Sequence, residues 1–251
     1  MAEEEPVFET TTGPPRIITA ASLFDGHDAA INVMRRLIQS AGAEVIHLGH
    51  DQSAKAVVDC AIQEDAHGVA LTSYQGGHVE YFTYIRQLLD EAGCKHIRIF
   101  GGGGGTITPP EIKTLHESGI SKIYSPDDGR TMGLMGMIHH LMGIASEVDL
   151  IHPDRIASLS GPVTPEDTAK VGLLLTMSES ADDKTFKSTL EKCRSSEKEV
   201  PVIGFTGTGG AGKSSLLDEL MLRILRDNPG KKVCLLCVDP TRKRTGGALL
   251  G

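Results

Sequence analysis

The chain has 251 residues, of which 39% are hydrophobic and 23% are charged, as in an ordinary folded protein. Its formal net charge of −8 argues against nucleic acid as the main partner. No apolar run approaches the roughly 18 residues that cross a bilayer, and the acidic N-terminus does not resemble a secretory signal. The 5 scattered cysteines suit a reducing compartment. These features predict a cytoplasmic protein without membrane or nucleic-acid partners.

Short apolar runs alternate with segments of helical periodicity from Arg16 to about Met142. Helices between these runs are indicated by a stop at Gly42, a cap at Ser53 and a start at Thr108. Successive βα units predict a parallel sheet with helices on both faces, in the flavodoxin-like strand order 2-1-3-4-5. The predicted strands are Arg16–Ala21, Glu44–Leu48, Gly68–Thr72, His96–Phe100 and Lys122–Tyr124.

The rest of the chain divides by composition. Residues 1–15 are predicted to form a disordered tail, and residues 16–143 the α/β domain. Residues 144–165 lose periodicity and contain prolines and glycine, so they are predicted to be a linker. Residues 166–251 are predicted to begin a second α/β domain, which is incomplete.

Three unusual loops follow the first, third and fourth predicted strands. The first contains Asp25-Gly26-His27, the second is the sequence TSYQGGH over residues 72–78, and the third is the glycine run Gly101–Gly105. Doubly wound sheets bind ligands beyond the carboxyl ends of their strands, so these loops are expected at one edge. The glycines indicate that a large ligand approaches the backbone closely.

Asp25-x-His27, followed by the small residue Ala30, resembles the cobalamin-binding motif of acyl-CoA mutases and corrinoid carrier proteins, and the resemblance covers about residues 16–142. It implies that His27 replaces the cofactor's own benzimidazole as the lower ligand of cobalt, with Asp25 bonded to the other ring nitrogen. It also implies that the displaced nucleotide tail enters between the first and third strands. The predicted cofactor-binding residues are Asp25, Gly26, His27, Ala30, Ser73, Tyr74, Gly76, Gly77, Gly102, Gly103 and Gly104.

The motif departs from the family pattern at three places. Ala30 stands where glycine is usual, and Ala21 stands where some mutases have a lysine. The usual serine-x-leucine after the third strand reads Thr72-Ser73-Tyr74, so its hydroxyl role belongs to Thr72 or Ser73, with Ser73 favoured.

Three further histidines, near the same edge, are candidates for contact with the corrin ring. The simplest interpretation is that they are ordinary polar positions, and His78 is the best candidate because it ends the second loop. The three are His47, His50 and His78.

A phosphate-binding motif lies in the last fifty residues. Gly207–Ser214 fits G-x-x-x-x-G-K-[ST] between a predicted strand, Val202–Phe205, and a predicted helix. Lys213 is expected to reach the β- and γ-phosphates, and Ser214 to bind Mg²⁺. Asp239, after a second predicted strand at Val233–Val238, is a candidate for the same ion. The predicted nucleotide-binding residues are Gly207, Gly209, Gly210, Ala211, Gly212, Lys213, Ser214 and Ser215.

Residues 201–251 resemble the GTPase chaperones that guard cobalamin-dependent mutases. The guanine-reading N-K-x-D segment is absent, so GTP rather than ATP is implied by the resemblance alone. A cobalamin domain followed by such a GTPase resembles the fused isobutyryl-CoA mutases. The resemblance implies adenosylcobalamin, GTP and Mg²⁺ as cofactors and a homodimer.

The same resemblance implies rearrangement of isobutyryl-CoA to butyryl-CoA, with GTP hydrolysis coupled to cofactor loading and protection. The catalytic barrel and its acyl-CoA site would lie farther along the polypeptide, so this chain is expected to be a fragment without mutase activity of its own. The alternatives are a corrinoid carrier, a cobalamin sensor and a P-loop metallochaperone that acts in trans.

Overall fold

The structure is a computed structural model that describes residues 6–194 and 200–238, without the side chain of Asp28. The chain divides into two compact units, Met1–Ser195 and Ser196–Gly251. The first unit contains a sheet with the strand order β2-β1-β3-β4-β5, and every pairing is parallel. This confirms the predicted fold and strand order. The strands are β1 (Arg16–Ser22), β2 (Glu44–Gln52), β3 (Gly68–Thr72), β4 (Arg98–Gly102) and β5 (Lys122–Tyr124).

The helices of the first unit follow the strands and then continue past them. In the described residues, no helix is long and apolar enough to cross a membrane. The helices are α1 (Asp28–Ser40), α2 (Ala54–Gln63), α3 (His78–Glu91), α4 (Pro109–Glu117), α5 (Pro126–Ser146), α6 (Pro153–Ser158), α7 (Thr168–Ser180) and α8 (Asp183–Cys193).

Local sequence signals explain where these helices begin. The Ser53 hydroxyl accepts a hydrogen bond from the Ala56 amide, which caps α2 as predicted. Thr108 and Glu111 form a capping box at the start of α4. The helix after β5, which the periodicity predicts over Thr131–Met142, begins five residues earlier at Pro126, where Ser125 caps it, and Gly133 kinks it at φ 68°.

The core has two layers, one on each face of the sheet. Ile17 and Ile18 are neighbours on β1 and are both fully buried, because successive side chains of a strand point to opposite faces. Ile18 packs with α2, α3 and α4, whereas Ile17 packs with α1 and α5. A strand covered on both faces is uniformly apolar, and β3 is buried along its whole length.

The predicted linker and tail are partly structured. Residues 144–165 contain the end of α5 and the whole of α6, and α7 packs against α2. The compact unit ends after Ser195, later than the boundary expected at residue 166. In the predicted tail, the hydroxyls of Thr10 and Thr12 lie 3.2 and 3.4 Å from Nε2 of the buried His67. Ordering this segment gives His67 polar partners that the sequence alone does not reveal.

The second unit contains α9 (Lys213–Asp227). The predictions of strands at Val202–Phe205 and Val233–Val238 are wrong, because neither segment forms a strand in this structure. The Val202 side chain is 93% exposed and that of Val238 is 89% exposed. Apolar sequence favours a strand only when a ladder partner is present, and these segments have none among residues 200–238.

Candidate functional site

A carboxylate and an imidazole form the centre of the first predicted site. Asp25 follows β1 and is fully buried, and its Oδ1 lies 2.8 Å from Nδ1 of His27. The His27 amide and the Tyr74 amide also donate to this carboxylate, at 2.9 and 2.7 Å. The His27 side chain itself is 65% exposed. The buried Asp25 carboxylate therefore holds one side of the imidazole, while the rest of the ring is exposed to solvent.

The charge of Asp25 determines which nitrogen of His27 is free. Burial raises the pKa of Asp25, but the amides of Tyr74 and His27 and the His27 ring outweigh it, so the pKa lies below its ordinary value. An ionised carboxylate accepts hydrogen bonds only, so Nδ1 of His27 carries the proton. In the neutral ring Nε2 is then the atom without a proton, and neutral imidazole is the form that binds a metal.

The loops after β3 and β4 touch through their backbones. The Ser73 amide donates to the Gly102 carbonyl at 2.9 Å. A Cβ on Gly103 would lie 1.9 Å from the Ser73 carbonyl oxygen, so only glycine allows this approach. The ring of Tyr74 packs 5.5 Å from the ring of His27, between centroids. Predicted residues from all three loops are therefore brought together at one edge.

A narrow cleft of about 60 Å³ runs from this edge between β3, β4 and the helices α1 and α5. It is lined mainly by apolar side chains and by the backbone of Gly101 and Gly102. The lining includes two hydroxyl residues, Tyr124 and Thr72. The Tyr124 hydroxyl lies 3.0 Å from Nδ1 of His140, whereas Oγ1 of Thr72 is buried without a hydrogen-bond partner among the described residues. A buried orphan hydroxyl is costly unless a ligand or water satisfies it.

Ser73, the hydroxyl favoured from the sequence, is already engaged. Its Oγ accepts a 2.9 Å hydrogen bond from the Ser22 hydroxyl, and its side chain is buried. The geometry therefore separates the two candidates, because Thr72 lines the cleft and Ser73 joins β3 to β1.

The remaining predicted residues have less specific surroundings. Gly77 precedes α3 with φ +83°, a conformation that glycine adopts freely. A Cβ on Gly104 would lie 3.3 Å from the Tyr74 ring. Around Gly26 and Gly76 there is open space, and Ala30 is half-buried in the first turn of α1.

The structure distinguishes the three further histidines. His50 is exposed at the end of β2, whereas Nδ1 of His47 lies 2.9 Å from the Thr19 hydroxyl. His78 is 6% exposed and its Nε2 lies 3.3 Å from Glu111, so it belongs to the protein interior. The prediction that His78 is the best corrin contact is not supported by this placement.

Three features were not singled out from the sequence. Ser22 holds Ser73, and a Cβ on Gly101 would lie 2.5 Å from the Phe82 ring. Phe24 has a positive φ of 64°, which is uncommon for a residue other than glycine, and its side chain is 78% exposed. Its amide donates a 2.7 Å hydrogen bond to the Asp51 carboxylate. The glycine run pointed to Gly101, but nothing in the sequence indicates the Phe24 conformation.

The phosphate loop lies in the second unit and begins α9. Gly210 and Gly212 have φ values of +75° and +79°, which glycine adopts without strain. Nζ of Lys213 donates to the carbonyls of Gly207 and Thr208 at 2.8 and 2.9 Å. The helix N-terminus that follows offers free amides to an anion. Asp239, the second predicted magnesium residue, lies outside the described residues.

Comparisons with known proteins agree with both motifs. Residues 15–123 match the family model "B12 binding domain", and residues 171–251 match "Methylmalonyl Co-A mutase-associated GTPase MeaB". The matching GTPase region begins inside α7, a helix of the first unit that packs against α2.

Curated relatives match nearly the whole chain. It is 50% identical over 243 residues to the fused isobutyryl-CoA mutase of Geobacillus kaustophilus, covering 94% of this chain and 22% of that protein. It is 51% identical over 241 residues to that of Nocardia farcinica, covering 95% of this chain and 22% of that protein. This chain thus spans about a fifth of the length of these relatives.

A shorter relative is matched over most of its own length. The 2-hydroxyisobutanoyl-CoA mutase small subunit of Aquincola tertiaricarbonis is 34% identical over 115 residues, covering 45% of this chain and 82% of that subunit. The chain therefore belongs to the family of this mutase small subunit, and it carries a region that matches the B12-binding model followed by one that matches the MeaB GTPase model.

Proposed function

We propose that this chain binds adenosylcobalamin through His27 and GTP with Mg²⁺ through its phosphate loop, as part of a mutase that interconverts isobutyryl-CoA and butyryl-CoA. The acyl-CoA site would belong to a mutase domain outside these residues, in a homodimeric, cytoplasmic protein. GTP hydrolysis would be coupled to loading and protection of the cofactor. The family of the chain and its two motifs support this proposal.

The observation that carries the proposal is the buried Asp25 carboxylate beneath the exposed His27. A metal-binding histidine needs its other ring nitrogen held by an acceptor, which fixes the tautomer and raises the basicity of the ligand. The 2.8 Å contact between Oδ1 of Asp25 and Nδ1 of His27 supplies that acceptor. Cobalamin, when bound, would supply the cobalt–carbon bond whose homolysis begins the rearrangement.

The orphan hydroxyl and the glycine loops fit the same cofactor. The cleft lined by Thr72 is largely apolar and lies on the β4 side of β3, whereas the displaced nucleotide tail is expected between β1 and β3, so β3 borders both. Thr72 would donate to or accept from a polar atom of that tail, and Ser73 would hold the loop. A Cβ on Gly103 would lie 1.9 Å from the Ser73 carbonyl oxygen, and this close packing of the two backbones supports a surface that receives a large ring.

The nucleotide proposal rests on the phosphate loop. Its glycines leave the backbone amides accessible, and Gly212 places Lys213 at the first position of α9. Lys213 would exchange its two carbonyl contacts for the β- and γ-phosphates. Ser214 would bind Mg²⁺, with Asp239 as a second candidate ligand.

The experiment is a titration of the protein with cobalamin, followed by absorbance and by electron paramagnetic resonance of the Co(II) form. Wild type should show nitrogen coupling from a protein imidazole at cobalt. His27→Ala should lose that coupling, and the matched variant His152→Ala, which changes a half-exposed histidine just before α6, should keep it. Coupling that persists in His27→Ala would contradict the proposed ligand.

A corrinoid carrier or a sensor is the alternative function. The GTPase region argues for a mutase, because it matches the family named for association with methylmalonyl-CoA mutase. The two classes are separated by assaying the whole polypeptide with isobutyryl-CoA and adenosylcobalamin. Formation of butyryl-CoA supports the mutase, whereas cobalamin binding without turnover supports a carrier or a sensor.

A further inference from the structure

His78 is the first residue of α3, directly after the loop that carries Gly76 and Gly77. Although it lies next to the cofactor edge, it is only 6% exposed, so it does not face a ligand. Its Nδ1 lies 3.2 Å from the Gln75 carbonyl oxygen, within its own loop. Its Nε2 lies 3.3 Å from Oε2 of Glu111, which belongs to a different segment.

Glu111 lies in the first turn of α4, after the glycine loop that follows β4. The same Oε2 atom accepts hydrogen bonds from the amide and the hydroxyl of Thr108, at 2.8 and 2.6 Å. These bonds, above all those from Thr108, lower the pKa of Glu111 to about 2, and the contact with His78 adds to the effect. Glu111 therefore presents a permanent negative charge to the imidazole.

The partners of His78 define how it acts. A carbonyl oxygen and an ionised carboxylate are both acceptors, so each ring nitrogen of His78 faces an acceptor. The contact between Nε2 of His78 and Oε2 of Glu111 is close, at 3.3 Å, but it is not a well-aligned hydrogen bond.

The contact between His78 and Glu111 is the second of two points at which the segments carrying the glycine loops are joined. At one end of the loops, the Ser73 amide donates to Gly102, and Gly103 packs against the Ser73 carbonyl. At the other end, His78 meets Glu111. The glycines between these two points have no side chains to hold them, so their conformation depends on how the ends are tied.

We propose that His78 is a positioning residue whose contact with Glu111 ties the loop after β3 to the start of α4 and so holds both glycine loops in the form that receives cobalamin. The inference rests on the proposed function, since it concerns the same cofactor. His78 acts through the loops and does not touch the cofactor.

The test compares two amides that replace different ring nitrogens. His78→Gln places its amide nitrogen where Nε2 lies and keeps the contact with Glu111, whereas His78→Asn reaches only the position of Nδ1. We expect His78→Asn to weaken cobalamin binding roughly tenfold, which corresponds to about 1.4 kcal/mol. His78→Gln should recover most of that affinity, measured by titration with cob(II)alamin.

A double-mutant cycle with Glu111 separates the contact from general damage. Glu111→Ala also removes the cap of α4, and Thr108→Ala serves as the control for that loss. If the contact positions the loops, the double variant His78→Asn/Glu111→Ala should bind cobalamin more weakly than His78→Asn only by the loss that Thr108→Ala causes on its own. Independent, additive losses would overturn the inference.

A spectroscopic readout completes the test, because a purely structural role would not change it. In His78→Asn the bound Co(II) signal should show a smaller fraction with imidazole coupling, since the loops around His27 are less ordered. Equal affinity and equal coupling in His78→Asn and wild type would overturn the inference while leaving the proposed function intact. If wild type itself shows no imidazole coupling, the proposed function fails first, and the two failures are distinguishable.

Discussion

The Thr176 hydroxyl in α7 donates a 2.9 Å hydrogen bond to the buried carboxylate of Asp65, at the end of the sheet opposite His27. Arg155 and His96 also contact Asp65, and Arg16 donates to Thr176 at 2.9 Å. A helix within the region that matches the GTPase family is thus attached to the cobalamin-binding unit by buried polar contacts.

This network predicts the effect of removing its central charge. Burial raises the pKa of Asp65, but its contacts with His96, Arg155 and Thr176 lower it below the ordinary value, so the carboxylate is ionised. Asp65→Ala would leave Arg155 with no anionic partner at the buried end of the network. We expect a loss of roughly 3–5 kcal/mol in the free energy of unfolding.

Urea unfolding followed by circular dichroism checks this value. The matched variant Asp59→Ala removes an aspartate that is half-exposed on α2 and pairs with Lys55. It should change stability by less than about 1 kcal/mol. Similar losses in the two variants would contradict a special role for Asp65.

Thr72 should affect binding much more than stability. Thr72→Val keeps the shape of the side chain and removes a hydroxyl that has no partner among the described residues, so the free protein should be as stable as wild type. Cobalamin affinity should fall about fivefold to tenfold, the value of one hydrogen bond of roughly 1 kcal/mol. Calorimetric titration of the variant checks this.

Ser73→Ala is the natural comparison. It removes the 2.9 Å bond with Ser22, so it should destabilise the free protein by about 1 kcal/mol. If Ser73→Ala loses more affinity than Thr72→Val, the hydroxyl role belongs to Ser73 after all.

The glycine loop after β4 offers a sharp steric test. A Cβ at Gly103 would lie 1.9 Å from the Ser73 carbonyl oxygen, so Gly103→Ala must push two backbones apart. We expect a loss of about 3 kcal/mol in stability, together with loss of cobalamin binding. Thermal unfolding and cobalamin titration measure both effects.

Gly105 provides the control in the same loop. A Cβ there meets nothing within 4 Å, so Gly105→Ala should leave stability within about 1 kcal/mol of wild type. Equal tolerance of both substitutions would mean that the two loops are not held as closely as the structure shows.

His67 makes stability depend on pH. Burial and the Arg16 guanidinium lower the pKa of His67 to about 4, against an ordinary value of 6.5. An unfolded chain therefore takes up this proton near pH 6.5, while the folded protein stays neutral down to about pH 4. The stabilisation is fully present above pH 6.5 and decreases as the pH falls through this window, by about 3 kcal/mol in total.

Replacing His67 should flatten that dependence. His67→Asn retains an acceptor for the Arg16 amide, which donates to Nδ1 at 2.9 Å. Lowered pKa values of His47, His96 and His116 add to the slope in both proteins, so the difference isolates His67. Urea unfolding between pH 4 and 6.5 should show a smaller slope in the variant, and an unchanged slope would refute the assignment.

The local pattern of the chain was enough to predict the sheet and the positions of its ligand-binding loops. Alternating apolar runs and helical segments determine a parallel fold, and strands of such a fold end at one edge, so Asp25, His27 and the glycine run had to meet there. The Asp25–His27 contact is also local, because the two residues are only two positions apart. The role of each predicted site residue in binding stays a prediction.

Contacts between distant residues were decided only by the tertiary structure. Thr72 and Ser73 are adjacent hydroxyls in the sequence, and only packing against the cleft and against Ser22 separates them. The attachment of Thr176 to Asp65 spans 111 positions, and no local pattern encodes such a pairing. The two wrong strand predictions in the second unit have the same cause, since an apolar run becomes a strand only when another segment completes its hydrogen bonds.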